Sequence, residues 1–337
     1  MGSQVTSLVT IWIFGGGIPT TNRPCDIVDL AGKAGVYKSK LSAGNLLLRG
    51  FMAGLYIAVG AALATVCSTG VANYLGAGIG KLVAGAVFPV GLIAIVLTGM
   101  ELFTGDAMLV PMAAMMKMVS WKRVLYVWVF VYIGNFAGSL FWAFLMAVGP
   151  LQTGDISAVS GNSVSASGFY LNAFGVNAIN IAASKTLTYK AAGGLMGMTS
   201  VFMNAIACNL LVNVAILLAL SSKEMIGKFF GIWFPIMAFV ASGFEHCVAN
   251  MYFIPAGMMS LALHPEYSIP ANTLLAHYGG ISIGDFLIWN LLPATIGNII
   301  GGFLFVGVVY YYCFRSELPG VCPSNPPEIQ SKKGEQK

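Results

Sequence analysis

The sequence predicts an all-α integral membrane protein with six transmembrane helices, built as an inverted three-helix repeat whose second and fifth helices are broken. Three observations predict this fold. The chain of 337 residues is 57% hydrophobic and only 9% charged, whereas soluble domains are about a quarter charged. Six apolar segments reach the length of about 20 residues that a spanning helix needs. A short motif recurs in the second and fifth segments, at Thr98–Met108 and Ser242–Tyr252.

The six segments set the order of the elements. They lie at about 46–67, 81–116, 124–148, 194–221, 228–263 and 285–314. The second and fifth are too long for a straight span and contain acidic residues near the middle, which predicts helices broken inside the membrane. The predicted parts are a cytoplasmic N-terminal segment, a first repeat, an extracellular connection, a second repeat and a disordered cytoplasmic tail, at 1–45, 46–148, 149–193, 194–314 and 315–337.

Basic residues predict the orientation. Six spans put both termini on one side, and lysine and arginine are enriched in cytoplasmic loops. They cluster before span one, between spans two and three, between four and five, and after six, whereas the opposite loops carry only Lys81, Lys185 and Lys190. We therefore expect both termini in the cytoplasm and the chain in the plasma membrane. The net charge of +5 forms no basic face, so no nucleic-acid partner is expected.

The first residues, MGSQVT, fit the pattern for N-myristoylation at Gly2. An ordinary disordered tail is the alternative for this segment.

The internal repeat predicts a transport function. Each copy of the motif has a hydroxyl residue, a glycine, a bulky apolar residue and a glutamate, and Asp106 or Asn250 follows five residues after the glutamate. Spans three and six each carry a GxxxG pattern, at Gly134–Gly138 and Gly297–Gly301, which lets helices approach closely. Three helices per repeat invert the second copy relative to the membrane. Inverted repeats with one broken helix each are typical of a transporter or channel whose path runs between them.

The two breaks are the candidate functional site. Irregular backbone at membrane depth is tolerated only where protein buries it or where it lines a cavity, so Gly99 and Gly243 are expected beside a pathway. His246 is the only histidine within a predicted span, and an ionisable residue there indicates function. A hydrogen-bonded structural histidine is the alternative. Glu101 and Glu245 are expected to brace the broken backbone.

The residues do not predict an enzyme, a metal site or a cofactor. Cys247 follows His246, but adjacent helical residues do not face each other. No other nucleophile–base arrangement or metal-ligand cluster occurs in the predicted spans, and the six cysteines show no close pairs. A water or glycerol facilitator is disfavoured because the chain has no paired Asn-Pro-Ala motif.

Five segments resemble the formate/nitrite transporter family, in order and over about residues 30–315. They are AGVYK at Ala34–Lys38, ELFTGD at Glu101–Asp106, CNLLVN at Cys208–Asn213, ASGFEHCVANMY at Ala241–Tyr252 and LLPATIGNIIGG at Leu291–Gly302. The resemblance implies an aquaporin-like protomer with its own pore and a homopentamer in membrane lipid. It also implies transport of formate, nitrite, hydrosulfide or, in some members, lactate with a proton.

The resemblance implies roles for residues around the first break. His246 matches the central pore histidine, with Thr104 as a hydrogen-bonding neighbour. Leu102, Phe103 and Thr104 match the loop that interrupts the second helix, and Asn209 matches the polar residue that faces this loop.

The resemblance also implies a constricted pore with a lysine on each side. The apolar side chains that narrow the pore match Phe88, Leu92, Val212 and Phe239. Lys38 matches the lysine before the first span. Its repeat-mate is displaced by extra residues and is either Lys185 or Lys190, with Lys185 preferred for its local context.

Magnitudes favour passage of the neutral acid. A bare carboxylate entering an apolar constriction faces a Born cost on the order of 20 kcal/mol, whereas protonating an acid of pKa about 4 at pH 7 costs only ~4 kcal/mol. The function predicted is proton-coupled transport of small monovalent anions such as formate, lactate and nitrite, with the lysines concentrating the anions. A passive anion channel with the same pore residues is the alternative. Whether His246 relays a proton or only offers a hydrogen bond stays open at this point.

Overall fold

A computed structural model describes residues 20–154, 158–160, 163–165, 168–265, 267 and 269–318. The possible lipidation site at Gly2 and most of the predicted tail lie outside the described residues. The described chain is mainly helical, which confirms the predicted all-α fold. Five helices are long and apolar enough to cross a membrane, at Ala43–Ser68, Ala77–Thr98, Trp121–Val148, Gly194–Ser221 and Ile283–Glu317.

The first repeat begins with a helix that precedes its spans. Its helices are α1 (Pro24–Ser39), α2 (Ala43–Ser68), α3 (Val71–Leu75), α4 (Ala77–Val87), α5 (Val90–Thr98), α6 (Phe103–Met115) and α7 (Trp121–Val148). At about 1.5 Å per residue, α2 and α7 are each long enough to cross an apolar layer of about 30 Å. Helices α4 and α5 form one continuous apolar stretch, Ala77–Thr98, before the break. Helix α6 follows the break.

The second repeat has the same plan. Its helices are α8 (Ala173–Ala192), α9 (Gly194–Ser221), α10 (Met225–Ala241), α11 (Cys247–Leu263), α12 (Leu274–Tyr278), α13 (Ile283–Phe286), α14 (Leu292–Ile300) and α15 (Val309–Phe314). In the last span, π-helical turns at Leu287–Leu291 and Gly301–Val308 interrupt the α-helix, and a 3₁₀ turn at Arg315–Glu317 ends it. The fifth span is made of the two shorter helices α10 and α11, which confirms the predicted break.

The connection between the repeats contains structure that the sequence analysis did not predict. Strands β1 (Gln152–Gly154) and β4 (Phe169–Leu171) pair antiparallel, as do β2 (Ala158–Ser160) and β3 (Ser163–Ser165). The predicted connection at 149–193 also contains all of α8. Asn172 caps this helix by accepting hydrogen bonds of 3.0 Å from the N–H groups of Phe174 and Gly175. Helix α8 holds the place in the second repeat that α1 holds in the first.

Glycines bring two helix pairs into close contact. A Cβ on Gly134 would come within 2.6 Å of the Leu47 carbonyl oxygen, and one on Gly138 would overlap the Phe51 carbonyl. In the second repeat, the Phe202 carbonyl is equally close to Gly297, and the Ile206 carbonyl is equally close to Gly301. The structure thus confirms the close helix approach predicted from the two GxxxG patterns, and it shows that span three packs on span one and span six on span four.

Both breaks use a glycine in the left-handed region. Gly99 has φ +75° and Gly243 has φ +76°, a conformation that residues with a Cβ adopt only at a cost. The chain is irregular from there until α6 begins at Phe103 and α11 begins at Cys247. Each following half-helix also contains an internal proline, Pro111 or Pro255. The backbone therefore repeats the internal symmetry seen in the sequence.

Candidate transport pathway

The two broken helices meet at the centre of the protein. His246 is the N-cap of α11, and Thr104 lies in the first turn of α6. Thr104 Oγ1 and His246 Nε2 are 3.0 Å apart, and both residues are buried. Because a helix N-terminus carries about half a positive charge, two half-helices direct positive potential at this contact.

The ring of His246 is held in one neutral tautomer. Its Nδ1 atom accepts a hydrogen bond of 3.0 Å from the backbone N–H of Ala249. Nδ1 therefore carries a lone pair, and the hydrogen of the neutral ring is on Nε2. The Nε2–H group donates to Thr104 Oγ1, which leaves the hydroxyl hydrogen of Thr104 for another acceptor. A proton on Nδ1 would set two N–H groups against each other and remove the helix cap.

A small apolar space beside His246 forms what we call the central chamber. Its lining comes from both repeats and consists of Ile57, Phe88, Leu92, Leu102, Val212, Ile236, Phe239 and His246. The chamber has no room for a water-sized sphere. The ring of Phe239 stacks on His246 with 5.7 Å between centroids, and Phe88 meets Phe239 edge-on at 5.5 Å. The four pore-narrowing residues implied by the resemblance all lie here.

Two larger cavities reach the chamber from opposite ends of the second span. The first-repeat vestibule, which contains Lys38 and Glu101, has a volume of about 330 Å³ and shares Leu92 and Leu102 with the chamber. The second-repeat vestibule, which contains Lys185 and Glu245, has a volume of about 500 Å³. It shares with the chamber Phe88, Phe239 and His246. The shared side chains stand between each vestibule and the chamber.

An ion-pair cluster lies at the wall of the first-repeat vestibule. The Lys38 ammonium contacts the Glu101 carboxylate and lies 2.9 Å from Asp106 Oδ1, and Arg49 Nη1 lies 3.7 Å from Glu101. Burial alone would lower the pKa of Lys38, but the charges of Asp106 and Glu101 outweigh burial and raise that pKa. Lys38 therefore keeps its proton. Asp106 is fully buried, and its Oδ2 has no hydrogen-bond partner among the described residues.

The second-repeat vestibule has a related cluster around Glu245. Lys185 Nζ lies 2.9 Å from Glu245 Oε2, and the Tyr189 hydroxyl donates to Oε1 at 3.0 Å. The side-chain amide of Asn250 donates to Oε2 at 2.7 Å, and that of Asn290 does so at 3.2 Å. One carboxylate thus receives four donors, three of them uncharged.

The structure distinguishes Lys185 from Lys190. Lys185 lines the second-repeat vestibule, whereas Lys190 pairs with Asp285 at 2.8 Å and lines neither vestibule. Lys185 therefore takes the place relative to Glu245 that Lys38 takes relative to Glu101. Lys185 reaches this place because it lies on helix α8.

The broken backbone was expected to be braced by Glu101 and Glu245, but the side chains that bind it are mainly those of two asparagines. Asn135 accepts from the backbone N–H of Phe103 at 2.9 Å and donates to the Glu101 carbonyl at 3.0 Å. At the second break, Asn298 accepts from the backbone N–H of Cys247 at 2.8 Å and donates to the Glu245 carbonyl at 2.9 Å. An amide can satisfy a backbone donor and a backbone acceptor at once, whereas a carboxylate only accepts. The glutamate side chains turn instead to the lysines.

Two residues near the first break differ from their expected places. Phe103 and Thr104 belong to the first turn of α6 rather than to the loop, which ends at Leu102. Phe103 does not line the central chamber. The centroid of its ring lies 4.9 Å from that of Tyr132 and 6.2 Å from that of Trp128. Phe103 and Thr104 point in different directions because consecutive residues of a helix do not face the same side.

Asn209 faces the break but lines none of these cavities. Its amide donates to the Thr104 carbonyl at 3.0 Å and to the Asn298 carbonyl at 2.6 Å. The first of these hydrogen bonds holds the backbone of Thr104, whose side chain contacts His246.

Several residues of the candidate pathway were not predicted from the sequence. Arg49 is a basic residue inside a predicted span, and this position alone could have marked it. Asn135 and Asn298 occupy equivalent places in GNFAG and GNIIG, so the repeat itself was a usable signal. Ile57 and Ile236 carry no signal, because apolar residues in an apolar span are indistinguishable before the helices are packed.

A family model described as formate/nitrite transporter matches residues 25–312. The chain is 37% identical over 301 residues to the protein named "Probable formate transporter" of Methanothermobacter thermautotrophicus, covering 87% of this chain and 97% of that protein. It is 30% identical over 299 residues to formate channel FocA of Escherichia coli strain K12, covering 87% and 95%.

Two solved structures share the fold. One is described as an FNT family ion channel, with a TM-score of 0.64, 27% identity and coverage of 86% of this chain and 98% of that one. The other is described as a pentameric formate channel with formate bound, with a TM-score of 0.59, 29% identity and coverage of 81% and 98%.

Proposed function

The chain belongs to the formate/nitrite transporter family, and from this premise we propose that it carries formate, nitrite or lactate through the central chamber together with a proton. It is an integral membrane transporter or channel and not an enzyme. The substrate enters a vestibule as an anion and crosses the constrictions as the neutral acid.

The neutral ring of His246 carries this proposal. Nδ1 is used as the cap acceptor for Ala249, so the residue offers the chamber hydrogen bonding without a charge. The lining of the chamber is otherwise apolar, and it supplies no full positive charge to replace the water lost by an anion. The cost of burying a bare ion, on the order of 20 kcal/mol, then favours protonation of the substrate, at ~4 kcal/mol for an acid of pKa about 4.

A passive anion channel is the second candidate, because one observation favours it. The N-termini of α6 and α11 meet at the Thr104–His246 contact, and their partial charges stabilise an anion there. These are partial charges of about half a unit each and do not replace a hydration shell. The two candidates differ in electrical behaviour, since the channel passes net current and the coupled route does not.

Assembly and orientation extend the proposal. One structural neighbour is described as pentameric, which supports a homopentamer with one pathway in each protomer. The distribution of basic residues supports cytoplasmic termini in a plasma membrane, which would place the first-repeat vestibule on the cytoplasmic side. A cysteine introduced in the loop at 269–273 would then react with an impermeant thiol reagent added outside intact cells.

Replacement of His246 tests the proposed mechanism. Uptake of labelled formate, nitrite and lactate by proteoliposomes is compared with and without an inward proton gradient for wild type, His246→Gln and His246→Phe. Glutamine keeps a hydrogen-bonding group but does not titrate near neutral pH, whereas phenylalanine removes both capacities. His277→Gln, at an exposed site, is the matched control.

We expect His246→Gln to keep much of the flux and its stimulation by the proton gradient. We expect His246→Phe to lose most of the flux, about 10-fold or more, because His246 is the one polar side chain among the described residues that line the chamber. Loss of gradient stimulation in His246→Gln would favour a proton relay through the ring instead. Wild-type flux that carries net current and ignores the gradient would establish the channel.

A further inference from the structure

The buried lysines of the two vestibules are already matched by carboxylates. Lys38 contacts Glu101 and Asp106, and its side chain is 13% exposed. Lys185 contacts Glu245, and its side chain is 17% exposed. An ammonium group held this way presents little free positive charge to an anion arriving from water, because the nearby carboxylate cancels its field.

Each vestibule also contains a lysine without such a partner. Lys81 lines the second-repeat vestibule and Lys228 lines the first-repeat vestibule. Neither ammonium group has an ion pair or a hydrogen bond to any residue that the structure describes. Lys81 is exposed and Lys228 is half-buried. The Nζ of Lys81 lies 3.8 Å from the place of a Cβ on Gly243, at the break of the fifth span.

The charge of each vestibule depends on this lysine. In the second-repeat vestibule the charged lining residues are Lys81, Lys185 and Glu245. In the first-repeat vestibule they are Lys38, Arg49, Glu101, Asp106 and Lys228. With every group ionised, the buried cluster is neutral in both vestibules. Among the residues that the structure describes, the positive charge that remains belongs to Lys81 in the second-repeat vestibule and to Lys228 in the first-repeat vestibule.

The inverted repeat explains why both vestibules have this charge. Lys81 is in the first half of the second span, 17 residues before Thr98, and Lys228 is in the first half of the fifth span, 14 residues before Ser242. The difference of three residues is slightly less than one helical turn of about 3.6 residues, so the two lysines lie on faces only about 60° apart. Because the repeats are inverted, each lysine comes from one repeat and faces the buried ion pair of the other.

We propose that Lys81 and Lys228, the rim lysines, are the residues that capture the anionic substrate, one at each mouth of the pathway. The buried lysines Lys38 and Lys185 hold the clusters together and set the position of the glutamates. This inference rests on the proposed function in that the substrate arrives as an anion, but it does not depend on how the substrate crosses the chamber.

Electrostatics gives the expected size of the effect. A single charge a few ångströms from an anion at a solvated rim changes its local concentration by about threefold to tenfold at low salt. The effect fades as the Debye length falls from about 10 Å at 0.1 M to about 3 Å at 1 M. A rim lysine should therefore act on the KM at low ionic strength and on neither the maximal rate nor the flux at high salt.

Side-specific kinetics test the rim lysines. Zero-trans uptake of labelled formate is measured at low and high salt, in proteoliposomes whose chains all face one way and from each side in turn. The variants are Lys81→Gln, Lys228→Gln and Lys81→Arg. Lys122→Gln removes the same charge at an exposed site that lines neither vestibule.

We expect Lys81→Gln to raise the low-salt KM about threefold to tenfold, but only for formate that enters through the second-repeat vestibule. We expect Lys228→Gln to raise the low-salt KM by a similar factor, but only for formate that enters through the first-repeat vestibule. Lys81→Arg should behave as wild type. An unchanged KM in both glutamine variants, or an equal change in Lys122→Gln, would overturn the assignment.

The outcome is independent of proton coupling. If wild-type flux ignored the proton gradient, the coupled mechanism would fail while the side-specific KM shifts still supported capture by the rim lysines. If the gradient drove uptake but the KM shifts were absent, the coupled mechanism would stand and the capture role would fail.

Discussion

The clusters of the two vestibules reach neutrality by different routes. Around Glu245 a single carboxylate is held by Lys185 and three uncharged donors. Around Lys38 two carboxylates, Glu101 and Asp106, share two cations. The repeat-mates Asn250 and Asp106 account for much of the difference. The two halves of the inverted repeat therefore share the net charge of the buried cluster but not its chemical composition.

The two designs differ in how they tolerate damage. The Glu245 cluster has one negative group, which is the only carboxylate that faces Lys185 among the described residues. The Lys38 cluster has a second carboxylate that still faces the lysine when the first is removed. Asp106 contacts one side chain, that of Lys38, whereas the amide of Asn250 donates to both Glu245 and Asn290.

Removal of the glutamates should separate the clusters most clearly. Glu245→Gln leaves Lys185 without a counter-ion, and loss of one partner of a buried pair costs about 3–5 kcal/mol. Glu101→Gln leaves Asp106 beside Lys38 and should cost only about 1–2 kcal/mol. The measurement is the free energy of unfolding in detergent, followed by tryptophan fluorescence.

The double variant Lys185→Gln/Glu245→Gln is the control, because it removes both charges together. It should recover a large part of the stability lost in Glu245→Gln. Equal losses in Glu245→Gln and Glu101→Gln would mean that Asp106 does not substitute for Glu101.

Exchange of the repeat-mates should have a smaller and asymmetric effect. Asn250→Asp removes the amide that donates to Glu245 and Asn290 and adds a like charge beside Glu245, at a cost of about 2–3 kcal/mol. Asp106→Asn keeps an oxygen for Lys38 and should change the unfolding free energy by less than about 1 kcal/mol. Thermal unfolding of both variants in one detergent provides the comparison, and a larger loss in Asp106→Asn would contradict it.

The glycines of the two breaks should show a small loss of stability that is equal at the two positions. Gly99→Ala and Gly243→Ala each force a Cβ into the left-handed region, at about 1 kcal/mol. Gly279→Ala is a control with similar backbone geometry, φ +67°, in a segment that lines neither vestibule. All three should lose similar stability, while only the first two should reduce formate flux. Unequal losses at Gly99 and Gly243 would mean that the breaks are not equivalent.

Much of the fold could be predicted from the sequence because its signals are local. Apolar length predicts a span, and two segments too long for one span, each with a glutamate at the middle, predict a break. The recurrence of the motif around Glu101 and Glu245 then predicts the inverted repeat. Helix α8 was missed because its sequence is less apolar than a span and lies in a segment whose length suggested a loop.

The site could be predicted less completely, because its contacts join residues that are far apart along the chain. His246 could be recognised by its type and its place in the break, but its tautomer depends on the backbone of Ala249 and on Thr104.

Hydropathy and glycine act within a few residues, so the spans, the two breaks and the types of residue available at them follow from the local sequence. The direction of each side chain and the neutralisation of each charge follow only from the packing of the helices. The packed helices direct Phe103 away from the chamber, bring Lys185 rather than Lys190 beside Glu245, and leave Lys81 and Lys228 without an ion-pair partner among the described residues. The physical reason is that Coulomb interactions and packing depend on distance in space, and only the packed helices set that distance.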